Sequence, residues 1–259
     1  MERSIYIPAE RQQKIVEYIE DNTSAQIHEL AERFRVSEAT IRRDLDDLSK
    51  QGALKRTHGG AIKLDRSTSY EHMYSEKIGL MTEEKQRIAQ YAARMVHPGD
   101  TVMIDSGTTT YFIAQALSSL ENLTIITNDL YIAHQISIHP SSTLIVTGGM
   151  RRPGRQELVG SLTENFIRET HVDIAFIGAD GIDITAGVTN ANFTEVGVKR
   201  LMLQSAMRSV IVSDHSKFGR VALAKICSLQ EADLLICDDQ LDAETQQMLS
   251  KLPIEVALT

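Results

Sequence analysis

The chain has 259 residues, a formal net charge of −8 and 42% hydrophobic residues, which is length enough for two domains of roughly 100–200 residues each. Its acidic balance excludes a protein that coats nucleic acid without discrimination. No apolar run reaches the roughly 18 residues of a membrane helix and no signal-peptide core follows Met1, so a cytoplasmic protein with no membrane partner is expected.

Pro8 precedes a helix expected over about 9–21, with Ile15, Val16 and Ile19 to pack inward. Ile27, Leu30, Ala31 and Phe34 then recur at helical spacing. Val36-Ser37-Glu38-Ala39 breaks that pattern, and Ser37 suits the cap of a new helix. The new helix, 40–48, turns Ile41, Leu45 and Leu48 inward. It turns Thr40, Arg42 and Arg43 outward, at the end that enters the major groove in helix-turn-helix proteins. Leu54 to Ile62 reads as a β-hairpin with a glycine turn and a basic flank of Lys55, Arg56 and His58. A helix-turn-helix followed by such a hairpin is a winged helix. The plainer alternative is a helical hairpin with solvated arginines, but a capped turn, paired arginines and a basic hairpin in this order favour DNA. The expected contacts to double-stranded DNA are Ser37, Thr40, Arg42, Arg43, Lys55, Arg56 and His58. Locally Arg42, Arg43, Lys50, Lys55, Arg56 and Lys63 outnumber Asp44, Asp46 and Asp47. A basic patch on an acidic body suits a protein that seeks one operator.

The stretch 63–81 is polar and without a clear period, and is expected as a linker, helical in part. The domains are therefore 1–62, winged helix-turn-helix; 63–81, linker; and 82–259, an α/β domain. Thr82 can cap a helix ending near Val96. Beyond it, β-branched runs at 101–105, 124–127, 143–147, 173–178, 209–214, 233–237 and 254–258 alternate with helices near 109–118, 130–137, 162–168, 194–207 and 243–252. Nearly all-apolar strands alternating with helices imply a mostly parallel sheet covered on both faces.

Ligands of such sheets bind at the carboxyl ends of the strands. The segments there are Asp105-Ser106-Gly107-Thr108-Thr109, Thr127-Asn128, Thr147-Gly148-Gly149, Gly178-Ala179-Asp180-Gly181-Ile182-Asp183 and Asp214-His215-Ser216-Lys217. Ser-Gly-Thr-Thr at a helix start suits a phosphate. Asp180 and Asp183 suit sugar hydroxyls, and Lys217 and Lys199 suit phosphate charge. Any one loop could merely cap its helix; five on one edge favour a shared pocket for one phosphorylated small molecule, since no G-x-G-x-x-G is present. His134 and His139 lack a second pair for zinc, so neither metal nor cofactor is expected. No G-x-S-x-G motif appears. Cys227 and Cys237 lie in apolar strand-like runs, as reduced core thiols do.

Taken together, these motifs resemble the DeoR family of bacterial sugar-metabolism repressors along essentially the whole chain. The N-terminal likeness rests on 36–45 and His58-Gly59-Gly60-Ala61. The C-terminal likeness rests on the loops above, on Glu195 with Lys199, and on Asp214 to Gly219. The resemblance implies a repressor of a carbohydrate or polyol operon, a homodimer or homotetramer whose C-terminal domain senses a phosphorylated sugar or polyol. That domain looks like ribose-5-phosphate isomerase, which supplies a rival reading as a sugar-phosphate isomerase with an attached DNA-binding domain. The enzyme pattern needs an aspartate three residues before Asp180, where this chain has Ile177, and a lysine in the following loop, where it has Gly187-Val188-Thr189-Asn190-Ala191-Asn192. Glu195 and Lys217 stand near the enzyme's base and substrate lysine. Without the second carboxylate and the loop lysine, proton shuttling would be badly compromised, so binding without turnover is expected.

Overall fold

A computed structural model describes residues 6–50, 53–63 and 68–259. The chain forms two compact units, 1–67 and 68–259.

In the first, Pro8 sits in the opening turn of α1 (Pro8–Asn22), where its missing N–H leaves no bond unmade. Next come β1 (Ser24–Gln26), α2 (Ile27–Phe34), α3 (Glu38–Lys50), β2 (Lys55–Arg56) and β3 (Gly60–Ile62). Ser37 caps α3 as expected, its Oγ accepting from the Thr40 amide at 3.2 Å. Ile15, Ile19, Leu30, Phe34, Ile41, Leu45 and Leu48 bury a common core. β3 pairs with β2 as the wing and with β1 on its other side, a strand with no signal in the sequence. Gly60 must be glycine, because a Cβ there would stand 2.0 Å from the carbonyl oxygen of Ala25.

The second unit begins before the domain boundary expected from sequence. Of the expected linker, residues 64–67 lie outside the described residues, and Lys63 belongs to the winged helix through a 2.8 Å bond from its amide to the Thr23 carbonyl. From Thr68 onward the segment is bonded into the second unit, as Thr68 O accepts from Leu223 N at 2.9 Å and α4 (Tyr74–Ile78) packs beside the helix Thr108–Leu117. Ion pairs to residues distant in the chain, Glu71 with Arg152 and Lys77 with Asp180, also hold it and are invisible to periodicity.

The main sheet contains β4 (Thr101–Ile104), β5 (Thr124–Thr127), β6 (Thr143–Val146), β9 (Val172–Gly178), β12 (Ala206–Val212), β14 (Leu234–Cys237) and β15 (Glu255–Leu258). All its pairs are parallel, in the order β15-β14-β12-β9-β4-β5-β6. α5 (Thr82–Ala93), α6 (Thr108–Leu117), α7 (Leu130–Gln135), α8 (Ser161–Arg168), α9 (Phe193–Ser205) and α10 (Ala243–Leu249) accompany it. Alternate strand residues serve two cores: Val102, Ile104, Ile174 and Phe176 pack with α5 and α6, whereas Met103, Ala175 and Ile177 pack with α8 and α9. Two small antiparallel additions escaped the sequence reading. These are the hairpin β7 (Met150–Arg151) with β8 (Leu158–Val159), and the sheet of β10 (Gly181–Asp183), β11 (Gly187–Asn190) and β13 (Ala224–Cys227). The reason is that β7, β8 and β10 have only two or three residues, and β11 and β13 break their apolar residues with Thr189, Asn190 and Lys225. No described helix is long and apolar enough to cross a membrane.

Candidate functional site

The outer face of α3 exposes Arg42 and Arg43. Arg42 pairs with Glu38 one turn earlier at 2.8 Å, an exposed bond worth only a few tenths of a kcal/mol, roughly, and easily exchanged for a phosphate or base. Arg43 makes no ion pair or hydrogen bond among the described residues. Thr40 shares a 2.9 Å hydroxyl contact with Ser37 at the cap, so those two shape the helix start while the arginines reach outward.

On the wing, Lys55 and His58 are exposed. Arg56 is committed inward: its Nε donates to Asp46 at 2.8 Å and its Nη1 to the Gly60 carbonyl at 2.8 Å, tying the wing to α3. Lys55→Ala should therefore flatten the log–log salt dependence of operator binding by about one unit. Arg56→Ala should instead lower the unfolding midpoint of this unit. Anisotropy titrations across a salt series distinguish the two, and an unchanged slope for Lys55→Ala would remove the wing from the interface.

Behind this surface, Asp44 is buried on the apolar side of α3, where Arg11 holds it through bonds of 2.6 and 3.2 Å. Asp44 follows Ile41 by three residues and precedes Leu48 by four, a spacing that puts it on the buried side of α3.

In the second unit the parallel register levels the strand ends. Ile104 pairs with both Thr127 and Phe176, Thr127 with Val146, and Val212 with both Gly178 and Ile236. Asp105, Asn128, Thr147, Gly178 and Ser213 consequently emerge along one edge. Successive strands run outward from β4 in one direction and from β9 in the other, so β4 and β9 flank the switch point where open α/β sheets bind ligands. The two loops meet there: the Gly178 amide donates to Asp105 Oδ2 at 3.0 Å.

After Asp105, Gly107 adopts φ +155° and opens α6. The first intrahelical bond is that of the Tyr111 amide to Gly107 O, which leaves the amides of Thr108, Thr109 and Thr110 at the positive end of the helix without helical acceptors. Asp129 steadies the turn by accepting from Ser106 Oγ at 2.8 Å and Gly107 N at 3.3 Å. Asp105 is 1% exposed and ion-paired with the buried Lys199, and its Oδ1 has no hydrogen-bond partner among the described residues. Burial opposes the charge on Lys199, but Asp105 and Glu195 outweigh it and keep the ammonium protonated. Lys217 differs. It faces Asp214, Lys77 and Asp180 electrostatically, and its ammonium makes no hydrogen bond or ion pair among the described residues.

The remaining expected residues divide. Asn128 Oδ1 is buried without a donor among the described residues. Thr127 turns its hydroxyl to the Asp129 amide at 3.1 Å. Gly149, at φ +127°, is required by packing, since a Cβ would lie 2.1 Å from Thr163 Oγ1. Gly148 accepts from that same hydroxyl at 2.7 Å. Asp183 closes the β10–β11 turn by accepting from Thr185 and Ala186 at 2.8 and 2.7 Å, and shares no bond with Asp180 or another expected site residue. Asp180 accepts from Lys77 Nζ (2.9 Å) on one oxygen and from the Ala191 amide (3.1 Å) on the other. Burial disfavours its charge, but Lys77 and the Ala191 amide prevail and hold it well below the usual carboxylate range.

Sequence reasoning missed a second polar centre. Arg152, on the loop joining β7 and β8, binds Glu71 through two 2.9 Å bonds, Glu157 at 2.6 Å, and Glu195. Burial, then the neighbouring carboxylates of Glu157 and Asp180, push Glu195 up to about 8 against the pull of Lys199 and Arg152. Glu195 also accepts from Asn190 Nδ2 at 3.1 Å. Only a fold that brings 71, 152, 157 and 195 together could disclose this cluster. Ile177, where the isomerase pattern has an aspartate, is fully buried in the core.

Two family models match the chain: a DeoR-like helix-turn-helix domain over residues 11–67 and a DeoR C-terminal sensor domain over residues 80–239. A putative aga operon transcriptional repressor of Escherichia coli is 34% identical over 258 residues, covering 99% of this chain and 96% of that protein. The HTH-type transcriptional regulator GlpR of Haloferax volcanii is 34% identical over 250 residues, covering 96% and 97%. A glycerol-3-phosphate regulon repressor of Escherichia coli is 33% identical, covering 96% and 98%. Among solved structures, ribose 5-phosphate isomerase from Plasmodium falciparum is similar at 15% identity and a TM-score of 0.36; the match spans 56% of this chain and about half of that one, 53%.

Proposed function

The chain belongs to the DeoR family of transcriptional regulators, and on that premise we propose that it represses a carbohydrate or polyol operon under the control of a phosphorylated sugar or polyol bound at the sheet edge. What supports this reading is the grouping, along one edge of the sheet, of helix-start amides at 108–110 with, among the described residues, a Lys217 ammonium in no ion pair and a buried Asp105 oxygen lacking a donor. The amides and the cation suit a phosphate, and the orphaned acceptor suits a hydroxyl on the same molecule. Two relatives are named for a glycerol-3-phosphate regulon and an aga operon, which supports the same chemical class. The partner DNA is a duplex operator in the cytoplasm. A homodimer or homotetramer would present paired winged helices to two half-sites.

The pocket binds without turnover in this reading. Ile177 and a loop without lysine leave Glu195 short of the partners an isomerase uses, and Arg152 already engages it. Purified protein should not interconvert ribose 5-phosphate and its ketose; measurable turnover would restore the enzyme alternative.

Thermal-shift screening against sugar and polyol phosphates tests the sensor directly. A true effector at a hundred times its Kd should stabilise the protein by about 2.7 kcal/mol. Lys217→Ala should weaken that ligand roughly ten- to hundredfold, the worth of a charge-assisted hydrogen bond. A variant that binds with wild-type affinity would show that the pocket has been assigned to the wrong edge.

A further inference from the structure

The segment 68–79 falls between the two family models, which end at 67 and begin at 80, yet it is built into the candidate pocket. Glu71 binds Arg152 and Arg155, and Arg155 also donates to the carbonyls of His72 and Glu71 at 2.5 and 3.1 Å. Lys77 binds Asp180. Lys85 Nζ, buried, reaches back to the carbonyls of Lys77 and Leu80 at 2.5 and 2.6 Å. These bonds fix α4 at both ends.

Between them, Tyr74 lays its ring against Tyr131, with centroids 4.6 Å apart, and Tyr131 meets Tyr111 at 5.2 Å. Tyr111 and Tyr131 belong to the first turns of α6 and α7, so Tyr74 is joined through Tyr131 to the first turn of α6, the helix α4 packs beside. Its hydroxyl is buried with no hydrogen-bond partner among the described residues. A buried phenol hydroxyl normally finds one. Burial, then the nearby carboxylate of Asp129, raise its pKa, which keeps it a proton donor. Asp129 is the residue that holds Ser106 and Gly107 in the same turn. Tyr74 and Lys77 are three residues apart and share one face of α4.

We infer that Tyr74 is an effector-binding residue whose hydroxyl donates to the anion held at the start of α6, with Lys77 positioning it through Asp180. This rests on the reading of the pocket as a phosphate site. It makes the segment that directly follows the DNA-reading unit in the chain a part of the ligand's own shell.

The test uses the full-length protein and inorganic phosphate as probe. Hydrogen exchange should slow in peptides covering 106–110 and 70–79 together when phosphate is added at millimolar concentration. Tyr74→Phe should weaken phosphate binding about three- to tenfold without lowering Tm, because it removes a hydroxyl that is unpaired in the free protein. Lys77→Met should weaken it as well, and Lys77→Arg should restore it by keeping the pair with Asp180. Protection at 106–110 alone, with wild-type affinity in Tyr74→Phe, overturns the inference and leaves the pocket standing. Protection at neither segment in the wild-type protein overturns both.

Discussion

Asp44→Ala is expected to destabilise the winged-helix unit by about 3–5 kcal/mol, because it leaves Arg11 as a buried charge without its partner. Arg11 and Asp44 are 6% and 4% exposed and bonded side-on, through Nε and Nη2 of the guanidinium, so solvent has little access to replace the lost carboxylate. For a unit of this size, at about 0.05–0.15 kcal/mol per residue, the loss rivals the whole stability. Operator binding should disappear at physiological temperature while the melting of the second unit and its response to ligand persist. Calorimetry of the full-length variant checks both. Replacing the pair together, Arg11→Met with Asp44→Leu, should restore most of the stability, since an apolar pair of similar volume is often as good as a buried ion pair. A single Asp44→Ala variant that binds operator normally and melts within about 0.5 kcal/mol of wild type would reduce the pair to an incidental contact.

The double variant Arg42→Ala, Arg43→Ala is expected to weaken operator binding by about 1–3 kcal/mol for each bidentate guanine contact removed. Arg43 should account for the larger share, because Arg42 must first leave Glu38. Both side chains are exposed, so the fold should be unaffected within about 0.5 kcal/mol. Anisotropy at fixed salt, on operator and on a scrambled duplex, separates the roles: base contacts lose affinity on the operator alone, phosphate contacts on both. Unchanged affinity on both duplexes would remove α3 from the groove. A fall in stability with intact affinity would make the arginines packing residues.

The winged helix was legible because its signals are local. Ser37 as cap, Ile41, Leu45 and Leu48 at helical spacing, and a glycine turn after Lys55 and Arg56 lie within a few residues of one another, where periodicity and turn chemistry act. The strands of the parallel sheet were legible for the same reason: inner strands such as β4, β5 and β14 are short runs buried along almost their whole length, and even the partly buried edge strands β6 and β15 are mostly apolar. Ser106 to Thr109 could be read as a helix start, and the strand ends gathered Asp105, Asn128 and Lys217 on one edge by topology alone.

What each polar side chain does there was decided by the tertiary fold. Asp180 and Asp183 look equivalent in sequence, but one is occupied by Lys77 and the other closes a hairpin turn. Arg56 looks as free as Lys55 until Asp46 and the Gly60 carbonyl come within its reach. Arg152 gathers Glu71, Glu157 and Glu195 from across the second unit, and Tyr74 reaches α6 from a segment that carries no periodic signal. Helical and strand periods report which face of an element is apolar. They carry no information on which distant charge will neutralise a buried one, because that choice follows from desolvation and distance, and both exist only once the chain has folded.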